Sequence, residues 1–255
     1  MKSKLLLALI IILAVSFIVG IIFAIAIAAN RIDDSITTEE TTQPTEEVFT
    51  LFSTEATPDQ AQYPYENKNA MDYEANTDMK GWLSIADTGI DYPVMQTPNY
   101  PDYYLVRDFF NNSSTYGCPY VQSNCDLKKP SDNILIYSHY MKDGTMFAEL
   151  EKYKNKEFFD KHKTITFEID GKVNQYEIMS VVVQPFTTDD EKTFKFYEFV
   201  DAYDPQSFNQ FVSNSKALSL YDTGVNAKYG DKLLTLATSE YNSDNERFIV
   251  IAMRK

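Results

Sequence analysis

Residues 164–183 read TITFEIDGKVNQYEIMSVVV and carry the clearest secondary-structure signal in the chain. The stretch is rich in β-branched and aromatic residues, which favour the extended backbone of a strand. An Asp-Gly pair between two such runs is typical of a tight hairpin turn. We therefore predict a strand over Thr164–Ile169, a turn at Asp170-Gly171, and further strand over Gln175–Met179 and Val181–Val183.

Three other apolar runs predict strands of the same kind. They are Ile134–Tyr137, Lys232–Thr238 and Arg247–Met253. Between the last two lies the segment Tyr241–Asn245, which is rich in turn-forming residues and is expected to be a link. The folded part of the chain, taken as residues 63–255, is therefore predicted to be mainly β.

Helices are fewer in the predicted fold. The clearest begins at Asp204-Pro205 and places apolar residues on roughly one face as far as Leu218, with proline in the first turn. Two further candidates lie between Asn67 and Met79 and from Met146 to about Phe159. Together these elements predict a β-barrel or sandwich of seven or eight strands with a few appended helices.

Composition excludes several functional classes. The chain has 255 residues, a formal net charge of −14, two cysteines and two histidines. Two cysteines are too few for a disulfide-rich scaffold or a four-thiolate zinc site, and two histidines leave little for a metal centre. An acidic chain with no basic block is a poor nucleic-acid binder. No metal, organic cofactor or nucleic-acid partner is expected.

The N-terminus predicts a membrane anchor. Residues 5–29 are 25 consecutive uncharged residues, long enough to cross a hydrocarbon core of about 30 Å. Lys2 and Lys4 precede the run, so residues 1–4 are expected in the cytoplasm and everything after Arg31 outside. The alternative is a cleaved signal peptide, but the apolar run exceeds the usual 7–15 residues of such signals. The expected location is the cell membrane, with a single pass and an extracellular domain.

Residues 30–62 differ in character from both neighbours. They are acidic and rich in Thr, Glu and Pro, with little apolar surface to drive folding. We expect a tether that holds the domain away from the membrane, and a plain spacer is the nearly equivalent alternative.

Reactive side chains are rare in the predicted domain. His139 follows the strand Ile134–Tyr137 and opens a glycine-containing loop, a suitable place for proton transfer, although by position alone a surface or packing role is the more ordinary one. His162 lies in a charged stretch and is expected to be structural. By position alone, Ser239 would be a turn former and Arg247 a solvated strand residue.

Four segments, taken in order, resemble the class B sortases. The end of the chain carries Thr235-Leu236-Ala237-Thr238-Ser239 and then Asn245-Glu246-Arg247-Phe248, similar to the family's Thr-Leu-x-Thr-Cys strand end and the following arginine. The segment from Tyr137 to Phe147 is similar to the family's histidine motif, and Gly81–Ile85 with Ile90–Val94 resembles its first strands. The resemblance covers about residues 65–255.

The resemblance implies a fold and an activity. It implies a sortase-like closed β-barrel and a cysteine transpeptidase on the outer face of a Gram-positive membrane. Such enzymes cut surface proteins at a sorting signal of the LPxTG or NPxTN kind and pass the acyl group to a cell-wall amine, here a peptidoglycan precursor. By position, His139 would be the acid/base residue, Arg247 would stabilise the developing oxyanion, and Thr238, Glu240 and Tyr241 would line the substrate groove.

The chain departs from the family at the nucleophile, where Ser239 stands in place of cysteine. An alkoxide is harder to form than a thiolate, so serine needs a neutral, well-oriented base. The sequence shows no obvious acidic partner that would orient His139, although Asp143 is near in the chain. Three explanations stay open: an engineered substitution, a natural serine enzyme, and a homologue that binds sorting signals without cutting them.

Other interpretations remain beside the resemblance. A membrane-tethered binding or adhesion domain explains the anchor, the tether and the β content. It does not explain why His139, Ser239 and Arg247 occur in sortase-like motifs. A serine signal peptidase is a weaker alternative, because the chain offers no matching Ser–Lys motif. Cys118 and Cys125 could form a short disulfide or stay free.

Overall fold

The structure is a computed structural model that describes residues 71–185, 193–240 and 243–255, and within them eight strands close into one barrel. The strands are β1 (Met79–Ser84), β2 (Asp91–Met95), β3 (Tyr120–Val121), β4 (Asn133–Tyr137), β5 (Thr164–Ile169), β6 (Lys172–Pro185), β7 (Leu233–Glu240) and β8 (Ser243–Arg254). Their order around the barrel is β1-β2-β3-β4-β7-β8-β6-β5, with β5 returning to β1. This confirms the prediction of a mainly β, closed barrel.

The predicted hairpin forms between β5 and β6. Ile169 pairs with Lys172, so the turn contains two residues, and both Asp170 and Gly171 adopt positive φ angles of 48° and 71°. Two positive angles define the turn type whose twist matches that of the flanking strands. Beyond the turn the two predicted runs form one strand, β6, with an irregularity between Ile178 and Ser180.

Two strand pairings near the C-terminus organise one edge of the barrel. β7 lies between β4 and β8, parallel to β4 and antiparallel to β8. Parallel strands run in the same direction, so the C-terminal ends of β4 and β7 meet at the same edge, where β8 begins. The link predicted over Tyr241–Asn245 is shorter than expected, because β8 already starts at Ser243, which pairs with Glu240.

The clearest predicted helix is confirmed as α2 (Pro205–Ala217), with α1 (Lys156–Lys161) preceding it in the chain. The Asp204 side chain accepts a hydrogen bond from the Ser207 backbone N–H at 2.7 Å, and Ser207 reciprocates to form a capping box. Phe208 is buried on its inner face.

The helix predicted from Met146 to about Phe159 is interrupted. The structure has a 3₁₀ helix over Ala148–Lys154 and then α1, with Asn155 between them in an extended conformation. The Asn155 side chain accepts from the Glu157 backbone N–H, so it caps the second helix and ends the first. Met146 has a positive φ angle of 56°, which is incompatible with a helix start.

The helix predicted between Asn67 and Met79 is wrong over the described residues 71–79. This segment forms turns, and Met79 already belongs to β1. The Asp72 carboxylate accepts hydrogen bonds from the backbone N–H groups of Glu74 and Ala75. The Asn76 side-chain oxygen accepts a hydrogen bond from the Asp78 backbone N–H. Such local bonds give the backbone an alternative to a helix.

Membrane insertion concerns a part of the chain outside this description. Within residues 71–185, 193–240 and 243–255, no helix has the length and apolar character needed to cross a membrane. The predicted anchor at residues 5–29 and the predicted tether at residues 30–62 lie outside the described residues.

Candidate active site

Strand pairing brings the predicted histidine and nucleophile positions to one barrel edge. Tyr137 of β4 is level with Ala237 of β7, and the Ser138 backbone N–H donates to the Ala237 carbonyl at 3.3 Å. His139 and Ser239 each follow this pair by two residues, His139 in the loop after β4 and Ser239 within β7. The two residues are a hundred positions apart in the sequence, and the parallel pairing of β4 with β7 brings them to the same edge of the barrel.

The predicted arginine joins them from the other side of β7. Arg247 of β8 pairs directly with Ser239 of β7. Arg247 is only 2% exposed, and its Nη1 donates to the Glu246 carbonyl at 3.0 Å. The expectation of a solvated residue from position alone is therefore wrong, because β8 is flanked by β7 and β6.

His139 is held in a buried position at the start of its loop. It is 4% exposed, and its ring nitrogen Nε2 lies 2.6 Å from the Leu105 carbonyl oxygen. The His139 carbonyl accepts from the Phe147 N–H at 2.9 Å, which closes the loop on itself. The strained residue Met146 is anchored in turn, since its N–H donates to the Tyr92 hydroxyl at 2.9 Å.

Asp143 has its own hydrogen bonds in the same loop. Its carboxylate accepts from the Thr145 backbone N–H and hydroxyl and from the Tyr116 hydroxyl. Burial alone would raise the pKa of Asp143, but these hydrogen bonds outweigh it and leave that pKa below its usual value. Asp143 therefore serves to tie this loop to the one carrying Tyr116.

A polar network that the sequence did not predict includes Tyr137, which interacts electrostatically with Arg247. The Tyr137 hydroxyl donates to the Gln122 side-chain oxygen, and the Gln122 amide donates to the Tyr197 carbonyl at 3.0 Å. Burial raises the pKa of the Tyr137 phenol well above its ordinary value, and the positive charge of Arg247 acts in the opposite direction. The network fixes the segment that precedes α2 against β4, and no local signal links residues so far apart in sequence.

The predicted groove residues have different placements. Thr238 is buried and precedes Ser239 in β7. Its hydroxyl and that of Ser138 are both buried without a hydrogen-bond partner within the described residues. Glu240 ends β7, and Tyr241 lies outside the described residues.

The remaining candidates are structural. The His162 ring stacks on Phe158 with centroids 4.0 Å apart, as expected for a packing residue. Cys118 and Cys125 are both buried and form no disulfide, and burial raises the pKa of Cys125 to about 12. Within the described ranges no cluster of three or more His, Cys, Asp or Glu side chains could hold a metal ion.

Sequence comparison identifies relatives over most of the folded part. The sortase domain family matches residues 83–255. Sortase B of Listeria monocytogenes is 37% identical over 177 residues, which cover 68% of this chain and 67% of the relative. Sortase B of Staphylococcus aureus is 32% identical over 179 residues, covering 69% of this chain and 70% of the relative.

Solved structures agree with these matches. The Clostridium perfringens sortase B structure has a TM-score of 0.65 and 29% identity, covering 74% of this chain and all of its own. A Staphylococcus aureus sortase B–substrate complex and a sortase B complexed with triglycine both have TM-scores of 0.65, at 25% and 27% identity, and each covers 82% of this chain and 94% of its own. The family match across the barrel and two relatives above 30% identity establish that this chain belongs to the sortase family of transpeptidases, in class B.

Proposed function

We propose that this protein cleaves the sorting signal of a surface protein and transfers the resulting acyl group to a cell-wall amine. The observation that carries the proposal is the meeting of His139, Ser239 and Arg247 at one edge of the barrel, through the pairings of β4, β7 and β8. These are the three positions that the resemblance assigned to catalysis.

The substrates are proposed from the relatives. One Staphylococcus aureus structure is a sortase B–substrate complex, and another sortase B structure contains triglycine, a peptide whose free amino group is a nucleophile. A peptide sorting signal as donor and a peptidoglycan precursor amine as acceptor fit this chemistry. Thr238, Glu240 and Tyr241 flank the nucleophile position and are proposed to shape the donor groove.

The proposed roles follow from charge and burial. Arg247 is a buried permanent cation, so it would stabilise negative charge on the substrate carbonyl oxygen as the tetrahedral intermediate forms. His139 would take the proton of the nucleophile and deliver it to the leaving amine. The acyl group would then rest on Ser239 as an ester until the acceptor amine attacks.

Ser239 favours a second candidate function, in which the chain binds a sorting signal without cutting it. A serine hydroxyl is a far weaker nucleophile than the thiolate that the family uses, and it depends entirely on a neutral, correctly oriented base. The same groove would then capture the peptide in its uncleaved form.

The proposed cellular location is the outer face of the membrane. Residues 5–29 would form the single span, and residues 30–62 the tether to the domain. Protease treatment of intact cells should degrade the domain and leave the N-terminal residues protected. A domain that becomes accessible only after lysis would contradict this location.

The test uses the full-length protein, native and with Ser239→Cys, and fluorogenic LPxTG and NPxTN peptides with triglycine as acceptor. We expect Ser239→Cys to cleave one peptide class and to form the triglycine product. His139→Ala and Arg247→Ala in that background should each lower kcat by about 10²-fold or more, because each removes a group that acts in the transition state. His162→Ala is the matched control and should keep the activity of its parent.

Two outcomes would overturn the proposals separately. A folded Ser239→Cys variant that neither cleaves nor transfers any of these peptides would exclude the transpeptidase function. The binding function applies if the native chain holds a peptide, measured by fluorescence anisotropy, and releases it intact. Turnover by the native chain would exclude that second candidate.

A further inference from the structure

Both histidines of the chain contact a backbone carbonyl, but through different ring nitrogens. His139 uses Nε2, which lies 2.6 Å from the Leu105 oxygen, and His162 uses Nδ1, which lies 2.8 Å from the Phe158 oxygen. A carbonyl oxygen has no proton to give, so the ring nitrogen must be the donor in each pair. Neutral His139 therefore carries its proton on Nε2 and its basic lone pair on Nδ1, whereas His162 has the opposite tautomer.

The Leu105 carbonyl is itself rigidly placed, although it belongs to a loop between β2 and β3. Leu105 closes a short 3₁₀ helix, and both it and Tyr104 are buried. The Tyr104 carbonyl accepts from the Cys118 N–H at 2.8 Å, and the Tyr104 hydroxyl accepts from the Asn76 amide at 2.9 Å. The loop backbone therefore cannot move the Leu105 oxygen away from His139 without breaking buried hydrogen bonds.

A glycine makes room for this carbonyl. Gly117 has a φ angle of +60°, and a Cβ built on it would lie 2.5 Å from the Leu105 oxygen and 2.7 Å from the Tyr104 oxygen. Both distances are shorter than real Cβ atoms show, and both neighbours are backbone atoms that cannot rotate aside. A side chain at position 117 would force apart the close backbone contact between Gly117 and the oxygen that His139 contacts.

We propose that the Leu105 carbonyl is the positioning group for His139 and that Gly117 is the residue that admits it. The carbonyl holds the proton on Nε2 and keeps Nδ1 as the basic nitrogen for catalysis, the task that a carboxylate performs in a serine protease triad. This inference rests on the proposed function only in so far as it assigns His139 to proton transfer. The tautomer itself is a property of the substrate-free protein.

The proton path in the reaction is then defined. Nδ1 accepts the proton of the nucleophile as its oxygen, or the sulfur of a Ser239→Cys variant, bonds to the substrate carbonyl carbon. The same proton passes from Nδ1 to the amine nitrogen as the carbon–nitrogen bond breaks. The Nε2 proton stays in place throughout, and its hydrogen bond to Leu105 stabilises the imidazolium that forms between the two transfers.

The first test measures the tautomers directly in the full-length protein labelled with ¹⁵N-histidine. Two-bond ¹H–¹⁵N correlation spectra are recorded about two pH units above the reference pKa of an imidazole side chain, where the reference group is neutral. The chain has two histidines, so His162→Gln assigns both signals. We expect the proton on Nε2 in His139 and on Nδ1 in His162; a proton on Nδ1 of His139 would overturn the proposal, whether or not the chain turns over substrate.

The second test compares Gly117→Ala with Gly171→Ala. Gly171 also has a positive φ angle, +71°, but a Cβ there meets nothing within 4 Å, so it imposes similar backbone strain without touching a carbonyl. In the Ser239→Cys background we expect Gly117→Ala to lower kcat at least about 10-fold with KM within about twofold, because misorientation of the acid/base group acts on the transition state. Gly171→Ala should keep both constants.

The tautomer spectrum of Gly117→Ala separates positioning from general destabilisation. We expect the Nε2–H signature of His139 to weaken while that of His162 is unchanged. A folded Gly117→Ala variant with native kcat and a native His139 spectrum would overturn the role of Gly117. If Gly117→Ala does not fold, the tautomer of His139 in the unsubstituted chain decides the proposal alone.

Discussion

Removal of the Tyr92 hydroxyl should destabilise the loop that carries His139. This hydroxyl accepts the hydrogen bond of the Met146 N–H at 2.9 Å, and both residues are buried. Met146 has a φ angle of 56°, a left-handed conformation that costs a non-glycine residue about 1–2 kcal/mol. Tyr92→Phe keeps the ring and its packing, so it removes the acceptor without opening a cavity.

The expected magnitude follows from the burial of the donor. A buried N–H left without an acceptor costs about 1–3 kcal/mol. A loss of about 2 kcal/mol corresponds to a fall in Tm of about 4–8 °C for a domain of this size. Urea unfolding followed by tryptophan fluorescence measures this loss of unfolding free energy, since the chain has one tryptophan, Trp82 in β1. Hydrogen exchange of the Met146 amide should also become faster in Tyr92→Phe.

Tyr203→Phe is the control for this experiment. Tyr203 is 97% exposed, so loss of its hydroxyl should change the free energy of unfolding by less than about 0.5 kcal/mol. Equal urea midpoints for Tyr92→Phe and the native protein, with unchanged exchange at Met146, would refute the claim that this hydrogen bond holds the loop.

Three further predictions concern charge, thiols and backbone contact. Burial raises the pKa of Asp102, so the charged form of its carboxylate destabilises the fold at neutral pH. This cost disappears as the pH falls through the folded-state pKa. Asp102→Asn should therefore raise the free energy of unfolding in urea at pH 7, and raise it less in acid. Cys118 and Cys125 are buried, so a thiol reagent at pH 8 should label neither in the folded native protein, and Ser239→Cys should add one reactive thiol. Gly81→Ala should lower the free energy of unfolding by about 2 kcal/mol or more, because the added Cβ would overlap a backbone carbonyl of β5; an unchanged urea midpoint would contradict this.

Local patterns were sufficient to predict most of the strands and the best helix. The alternation and the Asp-Gly pair at residues 164–183 describe a hairpin whose two sides are adjacent in the chain. The α2 helix is likewise specified by its own cap and its own apolar face. The helix expected between Asn67 and Met79 is wrong over residues 71–79, and this error also has a local cause, since Asp72 and Asn76 bind nearby backbone groups instead of continuing a helix.

For the candidate site as well, local features were predictable from the sequence and contacts between distant segments were not. The motifs around His139 and Arg247 were recognisable as short stretches, and they were enough to indicate a family. The geometry of these residues could not be predicted from the sequence, because it depends on the parallel pairing of β4 with β7 and on which residue of β7 pairs with Arg247. Register is a property of two strands, and no window along one strand contains it.

The sequence by itself predicted the residue types of the site, the strand-rich domain and a membrane anchor. The folded barrel added the burial of Arg247, the contact between His139 and a carbonyl 34 residues earlier, and the need for glycine at position 117. Periodicity and turn chemistry act over a few neighbouring residues, so a sequence displays them directly. Contacts between distant segments exist only once the strands are paired and packed, and therefore the group that orients the histidine became visible only in three dimensions.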